Sequence, residues 1–509
     1  MSESFPMGGR GGPSGRGGPG GHHRRDLTEG PITKTLILFS LPLLGSNALQ
    51  SLNLTANQFW VSHLLGVTAI AAIGNANVIG FLAQGAIFGA TMAANIMIAQ
   101  SVGAGDFKLV KRVMGTAISF FFALSVLLAF LGWNFAPHVL TLMRTPPAAR
   151  AEAIIYMRIV FSAMPFMYFF MFIQMAQRGA GDSRTPFYFM ALAVVLDIVL
   201  NPLLIAGIGP FPKLGIAGSA TSTLIGQSVS LVLLLIHLYR KHSILMIRPN
   251  ELHLLKPDWS LLRPLLVRGL PMSLQMFIMS GASMVMIGFV NGFGAVTSAA
   301  YVGAQQVWNY IQMPGMAVGA SISSMAGQNV GAGKWDRVSR IAGIGICLSV
   351  AVTGTAAVLI YLLGPIPLYP FLPFGSPTIP IALHIDRTVL WAFVIFNATF
   401  ALTGIVRSTG AVWPPMIILI VSMWLIRVPF AHFMIPHWGP DAIWWSFPLG
   451  TITSSALSVL YYKFGGWRKV RIIRPELGGE VSDSAAPQPL MDPHEEDAAA
   501  VEPVTAAAS

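Results

Sequence analysis

The amino-acid sequence predicts an all-α polytopic membrane protein, with twelve transmembrane helices in two pseudo-symmetric six-helix bundles around a central cleft. Three observations carry this prediction: a composition too apolar for a soluble domain, twelve apolar runs of spanning length, and an internal repeat that divides the runs six and six. Of 509 residues, 54% are hydrophobic and 10% charged, and mean hydropathy is +0.66. An ordinary soluble domain has roughly 25% charged residues.

Taken in order, residues 1–30 are rich in Gly, Pro, Arg and His and lack an apolar h-region. They read as a disordered basic tail, not a cleaved signal. Apolar runs of about 20 residues, the length of one crossing, are centred near Asn47, Gly85, Leu124, Met164, Leu196 and Ser228. These define an N-terminal lobe over 31–240. A basic cytoplasmic linker, 241–268, leads to a second lobe over 269–465, with runs centred near Ser280, Gln312, Val352, Phe396, Met423 and Thr453. The second and eighth runs, about 68–100 and 296–328, exceed one bilayer thickness, so those helices should tilt or project. Residues 466–509 hold mostly Ala, Pro, Asp and Glu towards their end, too few apolar groups to repay ordering. They read as a cytoplasmic, largely disordered tail.

With both termini in the cytoplasm, Arg144, Arg150, Lys213 and Arg387 fall outside and Arg158 and Arg427 within spans, while every other Lys and Arg lies inside the cell. Such asymmetry is the positive-inside pattern, and it places the chain as a multi-pass protein of a bacterial-type plasma membrane. The net charge of +11 therefore faces a bilayer, not nucleic acid. A single cysteine, Cys347, excludes an intramolecular disulfide framework and a multi-cysteine metal site. No cofactor is expected. The paired Val-Gly-Ala-Gly turns at 102–105 and 330–333 follow no strand and precede no Gly-Lys-Ser/Thr, so they are not phosphate loops; their glycines suit tight turns where long helices end.

Those turns belong to the repeat, which recurs at an offset of 228 to 229 residues. Leu41-Pro42 matches Leu270-Pro271, Gly74 matches Gly303, and Gln100 to Gly105 matches Gln328 to Gly333. Arg112 matches Arg340, and Arg178, Gly181 and Pro186 match Arg407, Gly410 and Pro415. Six spans per repeat give both halves the same orientation, the arrangement of alternating-access transporters.

Within the spans, ALAVVLDIVLNPLLI places Asp197 in an apolar run. A charge there costs roughly 2.5–3.5 kcal/mol on insertion scales and marks an ion or substrate path, unless it is a structural carboxylate bonded to helix 1 or to a basic side chain. Asn201 lies one turn away on the same face, and Pro202 frees a carbonyl nearby. At the 229-residue offset the repeat partner of Asp197 is Ile426, which confines the carboxylate to one lobe. In helix 1, Ser46, Gln50, Asn53 and Asn57 form a polar stripe; Asn77, Gln84, Thr91 and Asn95 do so in helix 2, and Gln305, Asn309 and Gln312 in helix 8. Gln50, Asn53, Gln84, Gln305 and Asn309, with Asn397 of helix 10, are the candidate substrate contacts. Interhelical hydrogen bonds are an equally natural use of such amides, at about 0.6 kcal/mol each. Arg158 and Arg427 can capture an anion or serve a structural pair, and His432 can titrate near neutrality. Met and Phe clusters such as MPFMYFFMFIQM suit promiscuous binding of flat cations, although most such side chains in a span face lipid or other helices.

At the motifs LPLLGSNALQSLNLT, AIAAIGNANVI, AQSVGAGD, QRGAGDSRTPF, LNPLLIAGIGP, LGIAGSATST and WLIRVP, the sequence resembles the multidrug and toxic compound extrusion (MATE) family from Gly30 to about Phe464. The resemblance implies two six-helix lobes and export of organic, often cationic, compounds in exchange for protons or sodium ions, without enzymatic chemistry. Ion coupling is expected at Asp197 and Asn201 from their own spacing and burial, and at Asn57 because it occupies the position the family uses for coupling. Two departures stand out: Asn57 occupies the helix-1 position where many members carry an acid, and Asp197 and Asn201 reverse the family's Asn-to-Asp order. Helices 7 and 10 also lack the acids of sodium-coupled relatives, with Asn397 in the tenth and Asp386 expected at its outer edge, which favours protons. A lipid-linked oligosaccharide flippase of a similar two-lobe superfamily is the alternative, but it would want several Arg and Lys in the cleft. An intramembrane enzyme would need a reactive cluster that the spans lack.

Overall fold

The computed structural model describes residues 26–142 and 147–470. Most of both expected tails, Arg144, and the side chain of Asn77 lie outside the described residues. The long helices are α1 (Ile32–Leu65), α2 (Val67–Gly103), α3 (Phe107–Leu142), α4 (Pro147–Gly179), α5 (Arg184–Ala206), α6 (Ile216–Arg240), α7 (Trp259–Asn291), α8 (Ala295–Gly331), α9 (Trp335–Leu363), α10 (Thr378–Ser408), α11 (Trp413–Trp438) and α12 (Asp441–Phe464). Every expected span centre falls inside its helix. Among the described residues, ten stretches are long and apolar enough to cross a membrane by themselves. The amide- and serine-rich α8 and the α12 helix are not among them. The α2 and α8 helices run 37 residues each, about 55 Å at 1.5 Å per residue, well beyond the roughly 30 Å hydrocarbon core.

In the N-terminal bundle α2 packs on α4, α5 on α6, α3 on α4 and α1 on α5; in the second, α8 and α9 pack on α10, and α10 on α12. The bundles meet where α2 crosses α7 and α8, and where α1 lies against α8. Between membrane helices, close approach of small residues replaces the hydrophobic effect as the packing device. A Cβ on Gly103 would run into the backbone of Gln328, and one on Gly331 into the backbone of Gln100. The paired glycines thus do more than end their helices: they let α2 and α8 touch backbone to backbone.

Residues just outside the lobe limits expected from sequence pack onto the helices, because each end supplies an apolar anchor. Leu27 is buried beside Leu36 and Phe39 of α1 and Met325 of α8, and Trp467 is buried in the same cluster. The Leu27 N–H donates to Gln328 Oε1 (3.3 Å), and Asn329 donates to the Leu27 carbonyl (3.0 Å). The linker docks on α3: Glu251 pairs with Lys111, Asp258 with Arg112 at 2.6 Å, and Ser119 donates to the Leu255 carbonyl.

The α11 helix is not α-helical throughout; Val421–Arg427 forms a π-helix just before Pro429. A π turn accommodates one extra residue, and it corrects the repeat alignment there. Gly226 of α6 sits against the Ala193 carbonyl and Asp197 of α5, whereas Gly450 of α12 sits against the Ser422 carbonyl and Arg427 of α11. Ala193 and Ser422 keep the 229-residue offset, but the partner of Asp197 becomes Arg427, not Ile426.

Candidate functional site

Asp197 and Asn201 lie one turn apart on the buried face of α5, 2% and 0% exposed, because i and i+4 positions of a helix stack on one side. Facing them, α1 presents Asn53 and Asn57, again one turn apart. Asn53 Nδ2 donates to Asp197 Oδ2 at 3.0 Å and Asn57 Nδ2 to the same oxygen at 3.1 Å. From α6, Ser222 donates to Oδ1 at 2.6 Å, and Thr223 reaches Oδ1 at 3.2 Å and Oδ2 at 3.1 Å. Asn201 donates to Asn57 Oδ1 and to Ser219 Oγ, the latter at 3.5 Å.

Electrostatically this is a carboxylate cradle. Four side chains from two neighbouring helices aim N–H and O–H dipoles at one buried charge, and hydrogen bonds to a charged group contribute about 1.5–3 kcal/mol each. No basic residue is among the partners, and no described residue forms an ion pair with Asp197. The amide oxygens of Asn53 and Asn201 are buried with no hydrogen-bond partner. Among the described residues no group of three or more His, Cys, Asp or Glu could hold a metal.

The three residues expected to couple ions, Asp197, Asn201 and Asn57, are therefore brought together, and Asn53 joins them. Gln50 and Asn309 are exposed, and Gln84 and Gln305 are half-buried. Asn397 is fully buried with neither amide atom bonded, pressed against Gly315 of α8. Asn95 donates to the Met175 carbonyl at 2.9 Å, a bond between α2 and α4 of the interhelical kind. Ser219, Ser222 and Thr223 were not foreseen as site residues; their signal is the i, i+3, i+4 hydroxyl spacing in LGIAGSATST. Asp386, expected at the outer edge of α10, sits two turns inside it, 5% exposed, and accepts a 2.9 Å bond from the Trp308 indole. Arg158 lies 5.3 Å over the Trp133 ring, and His432 is exposed beside Phe289 and Phe433.

At the end of the lobes that carries the paired glycines, two glutamines cross between bundles. Gln100 Nε2 donates to the Ser408 carbonyl at 2.7 Å, and Gln328 Nε2 to the Gly179 carbonyl at 2.8 Å. Higher up, Ser40 of α1 donates to Ser321 of α8 at 2.9 Å and Ser273 of α7 to the Ala86 carbonyl at 2.7 Å. The geometry joins a buried carboxylate to a helix, α1, whose first half is packed on the opposite lobe.

Compared with known proteins, residues 42–203 and 271–433 match the family model MatE. The chain is 35% identical over 446 residues to the probable multidrug resistance protein YoeA of Bacillus subtilis, covering 87% of this chain and 96% of that protein. It is 27% identical over 318 residues to a FAD transporter of Shewanella oneidensis, covering 62% and 69%. Among solved structures, the outward-facing conformation of a multidrug resistance MATE family transporter of the MOP superfamily superposes with a TM-score of 0.79 at 20% identity, over 86% of this chain and 96% of that one.

Proposed function

The chain belongs to the MatE family of multidrug efflux transporters, and from that premise we propose that it is a secondary antiporter exporting drug-like organic compounds in exchange for protons. The observation that carries this reading is the buried carboxylate of Asp197, held by four donor side chains from α1 and α6. Ionised, it accepts from all of them. Protonated, it loses acceptor strength, and the Asn53 and Asn57 amides are loosened from the carboxyl, leaving Asn57 only its bond from Asn201.

Release of those two amides matters because α1 reaches across the molecule. Its first half buries Leu36, Phe39 and Leu43 among α8 residues of the other lobe, and Ser40 bonds Ser321. Proton occupancy at Asp197 thus biases how α1 sits between the lobes, which is the coupling that alternating access requires. The glutamine-bonded end is assigned to the cytoplasm by the positive-inside pattern, which puts both termini inside a plasma membrane and makes this inter-lobe contact the inner one. One charge crossing 100 mV supplies about 2.3 kcal/mol.

Protons fit better than sodium ions because both amide N–H groups already point at Asp197, and a cation would have to turn them away. The relative named as a FAD transporter widens the proposed substrates to metabolites bearing negative groups. The test is ethidium uptake into proteoliposomes under an imposed pH gradient or an imposed sodium gradient. Uptake driven by the pH gradient alone is the expected result; uptake driven only by sodium would assign the site to sodium, and uptake driven by neither would remove the antiporter reading.

A further inference from the structure

The π-helix in α11 gives the second lobe a cation where the first has an anion. Ala193 and Asp197 are four residues apart and flank Gly226; Ser422 and Arg427 are five apart and flank Gly450 in the same way. One inserted residue therefore turns the Arg427 side chain into the position that Asp197 fills in the N-terminal lobe. Such insertions weaken the helix and are retained mostly at functional sites.

Arg427 is 8% exposed, and its surroundings do not neutralise it. Nε has no hydrogen-bond partner, and Nη1 meets only the thioether of Met423, at 3.6 Å. The guanidinium lies 5.0 Å over the Phe447 ring, which offers attraction but no hydrogen-bond acceptor. Among the described residues, no carboxylate lies within ion-pair distance of it; Asp386 is instead held by Trp308. A buried guanidinium whose Nε has no partner and whose Nη1 meets only a thioether is suited to take a planar or tetrahedral oxyanion. Tyr301 of α8 shares a buried cluster with Phe447, the ring under the guanidinium; Gln305 lies one turn from Tyr301 on the same helix, and both side chains carry hydrogen-bond donors.

We propose that Arg427 binds the anionic group, a carboxylate or phosphate, of the transported compound, with Tyr301 and Gln305 flanking it. The proposal rests on the transport reading. It gives the two lobes opposite charges at equivalent positions, Asp197 for the coupling ion and Arg427 for the acidic end of a substrate.

The test is equilibrium binding of rhodamine 110, which has a free carboxylate, and rhodamine 123, its methyl ester, to the full chain in nanodiscs without any gradient. Fluorescence polarisation should show rhodamine 110 bound about tenfold tighter, the size of one charge-assisted contact. Arg427→Gln should abolish that preference and Arg427→Lys should retain part of it, since Lys keeps the charge and loses the fork. Equal binding of the two dyes to the native chain, or an unchanged preference in Arg427→Lys and Arg427→Gln, would overturn the proposal. Should Arg427→Gln not fold, as read by thermal unfolding, Arg427→Lys decides alone. Repeating the titration in phosphatidylglycerol discs separates sources: a preference that disappears there, against phosphatidylcholine discs, assigns the anion to a lipid headgroup phosphate competing at Arg427. Failure of gradient-driven ethidium uptake would sink the transport reading while leaving the dye ratio fully readable.

Discussion

Gln100 of α2 donates to the backbone carbonyl of Ser408, 2.7 Å away in the opposite lobe, and its repeat counterpart Gln328 makes the mirrored bond to Gly179 at 2.8 Å. Gln100 and Gln328 differ by 228 residues, Gly179 and Ser408 by 229, so one duplicated contact has become a two-point latch. Net hydrogen-bond contributions are about 0.5–1.5 kcal/mol each. Replacing both glutamines with Met should move the closed-to-open equilibrium at this end by about tenfold. Spin labels at the exposed positions 108 and 336, in a Cys347→Ser background, read it: the double variant should gain longer distances, and an unchanged distribution would mean that the latch holds nothing.

Gly103→Val is expected to prevent closure outright. The added side chain meets the Gln328 backbone, which cannot rotate away, and overpacking of this kind costs about 1–3 kcal/mol. Ethidium efflux should fall to background while the protein still inserts and purifies. Efflux at the native rate would show that α2 and α8 need not touch during the cycle.

The linker should respond to acid. The Lys111 hydrogen bond holds the Glu251 carboxyl below its usual range, and the Ser260 hydroxyl, followed by Arg112, does the same for Asp258. Depressed folded-state values mean that the stabilisation is complete above the ordinary carboxylate range and is lost as pH falls through the lowered values. Exposed pairs contribute only about 0–1 kcal/mol each, so the effect is local. Hydrogen exchange over 249–258 should be slow at neutral pH and should accelerate, relative to α7, below about pH 4; a constant ratio would detach these pairs from linker docking.

Removing the α6 hydroxyls should weaken coupling without destroying it. Ser222→Ala with Thr223→Val withdraws two of the four side chains that bond Asp197 and leaves Asn53 and Asn57. Hydrogen bonds to a charge contribute about 1.5–3 kcal/mol each, so gradient-driven efflux should slow by about tenfold or more. A native rate would make α6 a bystander.

What could be read from the sequence follows the strength of the physical signal. Asp197 was legible because a charge in an apolar run is costly, and Asn201 because i and i+4 share a face. Asn57 was legible through the family position it occupies. Ser222 and Thr223 were not, since hydroxyls in membrane helices routinely bond their own preceding carbonyls, as both do here with Ser219, and the i, i+3, i+4 spacing alone does not separate that use from a site. Gln100 and Gln328 were visible only as landmarks of the repeat, because which helices cross is a tertiary fact. The π-helix was hidden for a similar reason: one extra residue between Pro415 and Arg427 shifts the repeat by a single position, and only the paired contacts of Gly226 and Gly450 reveal it.

Asp197→Asn tests the central claim most directly. The amide keeps the shape and most of the hydrogen-bond contacts but cannot exchange a proton. In proteoliposomes under an imposed pH gradient, the variant should lose ethidium accumulation against its concentration gradient while retaining ethidium exchange at equal concentrations. Accumulation at the native rate by Asp197→Asn would contradict the account and move the coupling site elsewhere.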